Sequence, residues 1–529
     1  MTAIPSPPPA PAVARPPGAA EPPAAEGRRA LNDSLIVTVG GQLERALGTL
    51  TALAMKWGLD PAQHGIYSGL RLTLDHANRA SLGIGRGAVQ EIPVLLASGR
   101  EDEARRVADA SFAACTAAAL LYAAGLLALA WWRWPRGPDP DPTALAWSAG
   151  LIAVAALVLI KRYQDFLIAL HRAQRRFALT TELAVVDAAL FAALVALGLW
   201  LAGLWGLLAA IGLLGLFNVA YLHARHPMRL GLAWDGPITL RLLRTGLPIL
   251  ANSAAFAGLL SLDRVLILSL APDGAEAAGY YAIALMGTGW TLDLGGRIAS
   301  VMYTYFQTTL GRTRDPVAVA RQAARVVEAM APPLIAGSAV AYLVAPTFLG
   351  TLVPRYAPGL EALRPLLPGT VLLGLALPAR EAMIAVDRPY RLALVTLPGL
   401  LLAAAVGGIG AMRSGIVGVA WGMTAGYATV YLLTSLSALV GGLGSRGWLA
   451  HQARLARTIC WYAAGALLAA HLPIGGPSWK TFTLRLLLLA AWGLPALAVW
   501  GRSHGWGGLA GRFGRGAPPR PDSGRPEAG

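Results

Sequence analysis

Aspartate and arginine recur four residues apart, twice, inside stretches that are otherwise apolar. Thr73-Leu74-Asp75-His76-Ala77-Asn78-Arg79 reads T-L-D-x-x-x-R, and Thr291-Leu292-Asp293-Leu294-Gly295-Gly296-Arg297 repeats it. A spacing of four puts both charges on one face of a helix. A charge at mid-bilayer costs roughly 2.5–3.5 kcal/mol on insertion scales, so it needs a partner or a wet cavity. Two kinds of chemistry fit. The arginines can hold an anion, since a planar guanidinium matches phosphate or carboxylate in a bidentate fork. Alternatively, Asp75–Arg79 and Asp293–Arg297 are internal ion pairs that only make their helices insertable, facing a cavity or a lobe contact rather than lipid.

The surroundings of the first copy extend the pattern. Arg71 and Arg86 lie eight before and seven after Arg79, spacings that return to one helical face. Arg71, Asp75, Arg79 and Arg86 therefore predict a polar stripe along one spanning helix, the wall of a wet cavity. Arg45 lies beside Glu44 in an earlier apolar stretch whose glycines suit close packing. Asp263-Arg264 reads as a structural pin between helices. The Gly295-Gly296 pair beside Arg297 either lets its helix bend during gating or permits close packing. Glu91, Asp187, Glu328 and Arg380-Glu381 read as interfacial or capping, and Trp131-Trp132-Arg133-Trp134 as an interfacial belt with an arginine anchor. A second signal precedes each copy: Leu59-Asp60-Pro61 with Gly65-Ile66-Tyr67, against Leu270-Ala271-Pro272 with Gly279-Tyr280-Tyr281. Two homologous halves, each giving a charged inner face to a shared site, account for the repetition.

The elements that position these residues must be membrane helices. Of 529 residues, 55% are hydrophobic and only 14% charged, where a soluble chain of this length would divide into several domains with many more charges. The class expected is all-α and polytopic. Fourteen candidate spans fall into two sets of six, within 33–223 and 240–441, followed by 456–472 and 483–501. The stretches 64–97 and 276–310 are too long for one straight crossing, and Pro93 is placed to bend the first. The expected organisation is a Pro/Ala-rich arm over 1–30, an N-lobe over 31–225, a C-lobe over 226–445, extra spans over 446–501 and a basic tail over 502–529. Both ends of the chain should be unfolded. Net charge is +16. Arginines crowd the termini and the even-numbered connections; the odd ones hold only Lys56, Arg133, Arg136, Arg355, Arg413 and Lys480, so both termini are expected in the cytoplasm. Cys115 and Cys460 both fall in spans and imply no disulfide framework.

The pattern resembles the polysaccharide-export flippases of the multidrug/oligosaccharidyl-lipid/polysaccharide exporter superfamily, relatives of the O-antigen and lipid II flippases. The likeness is carried by Gly246-Leu247-Pro248, Leu262-Asp263-Arg264, Gly279-Tyr280-Tyr281, Leu59-Asp60-Pro61, Gly65-Ile66-Tyr67, the Pro93…Gly99-Arg100 exit, and Gly415-Ile416-Val417-Gly418-Val419-Ala420. The resemblance implies two six-helix lobes facing each other across a central cavity that opens alternately inward and outward. It implies a polyprenyl-(pyro)phosphate-linked glycan as substrate, a bacterial inner membrane, and no cofactor. It also places cavity-lining basic residues on the first, second and eighth spans; Arg45 matches by span and not by motif. The long N-terminal arm departs from the pattern, and no residue identifies the sugar.

On this reading the chain is a flippase for lipopolysaccharide-type or other polysaccharide precursors, in contact with membrane lipids and with polymerase or glycosyltransferase machinery, and without a nucleic-acid partner. A cation-coupled multidrug exporter on the same fold is the alternative, and would want an acidic, aromatic cavity instead of one richer in arginine. A membrane glycosyltransferase or ligase would need a sizeable outer loop with acid/base residues, and the connection around 133–142 is too short. The chain has no G-x-x-x-x-G-K-[ST] and no H-E-x-x-H, so the reading is not an enzyme.

Overall fold

The computed structural model describes residues 47–504, apart from 137, 140, 175, 228–229, 387–388 and 472–478. The expectations for the arm, the tail, Glu44 and Arg45 lie outside the described residues. The described residues are almost wholly helical, with no strand among them.

Many helices start on one local device. Asp60 precedes α2 (Pro61–His76), Asp141 precedes α5 (Pro142–Ala173), Asp235 precedes α7 (Gly236–Leu259), and Asp315 precedes α10 (Pro316–Leu352). In each the carboxylate accepts a first-turn N–H, such as Gln63 N–H to Asp60 Oδ1 at 2.8 Å. Each also has proline in its first two positions, where the missing N–H costs nothing. The remaining elements are α1 (47–58), α3 (Ile84–Ala97), α4 (Glu101–Arg133), α6 (Phe177–Arg225), α8 (Leu262–Leu270), α9 (Gly274–Thr313), α11 (Leu360–Ala385), α12 (Pro389–His471) and α13 (Trp479–His504).

The two longest elements are not straight. In α6 the backbone leaves helical geometry at Ala202 and Gly203, where Gly203 has φ 54°. In α12 it does so at Ser414–Gly415 and again at Gly444. A side chain on Gly198 would strike the Gly206 backbone, and one on Gly410 the Gly418 backbone. Residues eight apart in one helix are separated by about 12 Å, so these contacts show that the chain reverses. The reversals fall at the connections expected after 201 and 412. Among the described residues, seven helices are long and apolar enough to cross a membrane by length and composition; neither α2–α3 nor α9, the carriers of the two charged repeats, is among them.

The second expected span corrects the sequence reading. It is not one helix over 64–97. α2 passes into a short 3-10 turn, Ala77–Ser81, and the backbone then breaks at Leu82 (φ 49°) and Gly83 (φ 88°) before α3 begins. The helical register that aligned Arg86 with Arg71 is lost at this break. The seventh span is also divided, between α7 and α8.

Buried side chains gather in one set from α1, α2, α4, α5 and α6 and in others drawn from α7 to α13, which Leu53 of α1 joins. The two halves touch at both ends. At the end carrying Trp57, side chains on Gly65 and Gly279 would collide with the Ala275 and Pro61 carbonyls respectively. At the end carrying Glu91, Gly83 and Gly246 abut backbone to backbone, Gly87 meets the Leu242 carbonyl, and Arg241 pairs with Glu91 at 2.6 Å.

Candidate functional site

The break after α2 brings together charged groups from two helices. Arg71 Nε donates to both oxygens of Asp75 at 3.2 Å, a half-exposed pair one turn apart. Asp75 is thus paired backwards, and the alternative of an Asp75–Arg79 ion pair is not formed. Arg79 sits on the 3-10 turn, roughly 27 Å along from Pro61 at ~1.5 Å per residue, and its Nη1 is buried with no hydrogen-bond partner. Its neighbour Asn78 donates to Asp165 Oδ2 at 2.6 Å and accepts from Arg162 Nη1 at 3.5 Å. Lys161 donates to Asp165 Oδ1 at 3.5 Å. Arg162 lies 5.8 Å from the centre of the Phe166 ring, while its Nε and Nη2 are buried without a partner.

Asn78, Arg162 and Asp165 border a cavity of about 420 Å³ whose other polar lining comes from Ser81, Arg86 and Gln90, with Ile249 of α7 closing it from the other half; Arg79 lies next to Asn78 and outside this lining. Arg86 is exposed and makes no ion pair among the described residues. A second cavity of about 160 Å³ lies behind the first, bordered by Arg71, Lys161, Gln164 and Asp187. Asn218 donates a short hydrogen bond to Asp187. The accounting is one-sided. Asp75, Asp165 and Asp187 each accept from a neighbour, whereas Arg79 and Arg162 keep buried N–H groups free. Such donors are costly unless a ligand or water meets them. The vacant chemistry is that of an anion with several acceptor oxygens.

The second repeat is arranged differently. Asp293 and Arg297 are both exposed on unbroken α9, and the alternative of an Asp293–Arg297 ion pair is not formed either. Gly295 packs against the Gly374 backbone of α11, whereas a side chain on Gly296 would meet only Leu377 at ordinary contact distance; α9 is continuous through both glycines. Asp263 and Arg264 sit at the α7–α8 break. Arg264 donates from Nη2 to the Leu260 carbonyl at 2.6 Å, and its backbone N–H donates to the fully buried Asp263 at 2.7 Å. Arg264 thereby satisfies a carbonyl that the break sets free, with hydrogen bonds that stay within residues 260–264.

Sequence reasoning gave Lys161, Arg162 and Asp165 no role in the site. The signal was present: Lys161 and Asp165 are four apart, and nothing before Ala173 stops a helix that starts at Pro142. The Gly65 and Gly279 signals also proved to have a geometric meaning, because each makes room for the backbone of the opposite half.

No protein-family model and no curated protein matches the sequence. Solved structures do match its shape. The lipid II flippase MurJ in an inward closed conformation superposes with a TM-score of 0.66, covering 89% of this chain and 99% of that one at 11% identity. An inward-facing multidrug resistance MATE family transporter of the MOP superfamily gives 0.58, over 78% of this chain and 95% of that one at 15% identity. A MATE bound to MaD5 gives 0.52, over 80% and 95% at 15% identity. With apolar helices long enough to span a bilayer and this agreement over most of its length, the chain is a multi-pass membrane protein with the fold shared by MurJ and the MATE transporters of the MOP superfamily.

Proposed function

We propose that the chain is a flippase that moves an anionic lipid-linked oligosaccharide from the cytoplasmic to the outer leaflet by alternating access. The observation that carries this is the set of partnerless guanidinium N–H groups of Arg162, on the wall of a cavity that Asn78, Arg86 and Asp165 also line, and of Arg79, one residue from Asn78. A pyrophosphate offers several acceptor oxygens and two or more charges to such donors. The sugar would occupy the hydrated cavity while the prenyl tail stays in the bilayer. In this reading the lobes are 31–225 and 226–445, both termini and the Glu91 end face the cytoplasm, and the Trp57 end faces out. The cavity then lies toward the inner leaflet, where a lipid-linked precursor is assembled. The chain performs no bond chemistry; glycosyltransferases supply its substrate and a polymerase consumes its product.

A cation exporter on the same fold would need an acid free to receive a cation. The acids nearest the break are already engaged, which favours the anionic substrate. The purified protein should bind a polyprenyl pyrophosphate with an affinity that falls as salt rises, and Arg162→Ala should weaken it roughly tenfold, the loss of one charge-assisted contact. Binding of a cationic dye to the same cavity, with no affinity for the pyrophosphate, would transfer the assignment to the exporter class.

A further inference from the structure

The seam at the Trp57 end encloses two basic side chains that the cavity does not use. Lys56 at the end of α1 is 5% exposed and His64 in α2 is 7% exposed. Both face Tyr356, which belongs to the opposite half and is fully buried. Lys56 Nζ lies 5.9 Å from the centre of the Tyr356 ring, and the His64 ring meets Tyr356 edge-on at 5.8 Å. Tyr356 in turn donates across the seam to the Leu59 carbonyl at 3.0 Å, and Trp57 donates to the Leu352 carbonyl at 2.8 Å. Among the described residues no carboxylate lies within 4.0 Å of Lys56. His64 Nδ1 is buried with no partner.

An ammonium removed from water needs an opposite charge, and a ring face replaces only part of its lost hydration. Asp60 is close at hand yet spends its carboxylate on the Gln63 N–H at the start of α2. Lys56 therefore weakens the closed seam and is relieved when the halves part at this end, or when an anion reaches it. Elsewhere the same seam is built for tight closure, by Gly65 against Ala275 and Gly279 against Pro61.

We propose that Lys56, with His64 beside it, is an exit-side anion site that receives the substrate's phosphate groups as the Trp57 end opens. This rests on the flippase reading above and adds a second station to it. Arg79 and Arg162 hold the anion near the Glu91 end, and Lys56 draws it toward the other. Because an anion stabilises the exposed, charged form of Lys56 and not the closed seam, its binding shifts the population toward the open state.

The test uses the full chain in lipid nanodiscs, with Cys115→Ala and Cys460→Ser, and spin labels on Gln63→Cys and Pro272→Cys across the seam. Inorganic pyrophosphate is the probe, and its binding is measured in parallel by calorimetry. Pyrophosphate should lengthen the label-to-label distance in the otherwise unaltered protein. Lys56→Met keeps the alkyl stem and removes the charge. It should remain at the short distance at every concentration, yet bind pyrophosphate within roughly threefold of the parent, because the distant arginines are intact. Lys56→Arg should still open. Opening of Lys56→Met at the same pyrophosphate concentration as the parent would overturn the exit site and leave the flippase reading standing. A parent protein that neither binds pyrophosphate nor opens would overturn both.

Discussion

Arg79→Ala is expected to reduce glycan export roughly 10- to 100-fold while the protein remains at normal abundance in the membrane. The size follows from removing charge-assisted hydrogen bonds to a ligand, about 1.5–3 kcal/mol. The normal abundance follows from the geometry. Asp75 pairs with Arg71, so deleting Arg79 strands no acid. Arg79→Lys keeps the charge but loses the planar fork and should recover export only in part. Asp75→Ala is the contrast: it leaves Arg71 without its partner, and should lower abundance, with the double change Arg71→Ala plus Asp75→Ala restoring it. Surface glycan and membrane abundance, scored together, separate these cases. Loss of abundance in Arg79→Ala, with export per molecule unchanged, would give Arg79 a purely structural role.

Gly279→Val should block the transport cycle by a different route. The added side chain meets the Pro61 carbonyl, which is backbone and cannot rotate aside. Overpacking of this kind costs about 3 kcal/mol, enough to shift the balance between closed and open seams by roughly 100-fold. The halves should stay apart at the Trp57 end, and a cysteine replacing Ala62 should react with an impermeant maleimide many times faster than in the parent. Gly289→Val is the control, since nothing lies within 4 Å of a side chain there, and it should export normally. Equal labelling of Ala62→Cys in both backgrounds would mean that this seam does not open and close.

These two expectations draw on features with different visibility in the sequence. The Asp-Pro devices that begin helices at Asp60-Pro61, Asp141-Pro142 and Asp315-Pro316 are local and need no tertiary partner, but the sequence reading did not use them as helix starts. The reversals at Gly203 and Gly415 are local too and were legible. The break at Leu82–Gly83 was not. Leu82-Gly83-Ile84-Gly85 reads as one more apolar run, and its conformation is tied to Gly246 in the other half. That non-local contact also undid the stripe, since a face counted at regular helical spacing holds only while the helix does. Arg71, Asp75, Arg79 and Arg86 were grouped as one stripe, but the structure splits them: an ion pair, a partnerless donor on the 3-10 turn, and a cavity wall beyond the break. Arg162 and Asp165 were missed because basic residues near a span's end are read as connection when topology is counted from charge. Only the packing of α5 beside the break shows that they turn inward.

The central claim is that this chain moves an anionic lipid-linked glycan across a bilayer through the cavity beside Arg79 and Arg162. The most direct measurement is transbilayer movement of a labelled polyprenyl-pyrophosphate-linked oligosaccharide in proteoliposomes, read by the accessibility of the sugar to an external lectin. The account predicts movement with the parent protein, loss with Arg79→Ala plus Arg162→Ala, and no movement of a prenyl-linked sugar that lacks phosphate. Movement of the phosphate-free lipid at the same rate, or full activity of the double-alanine protein, would contradict it.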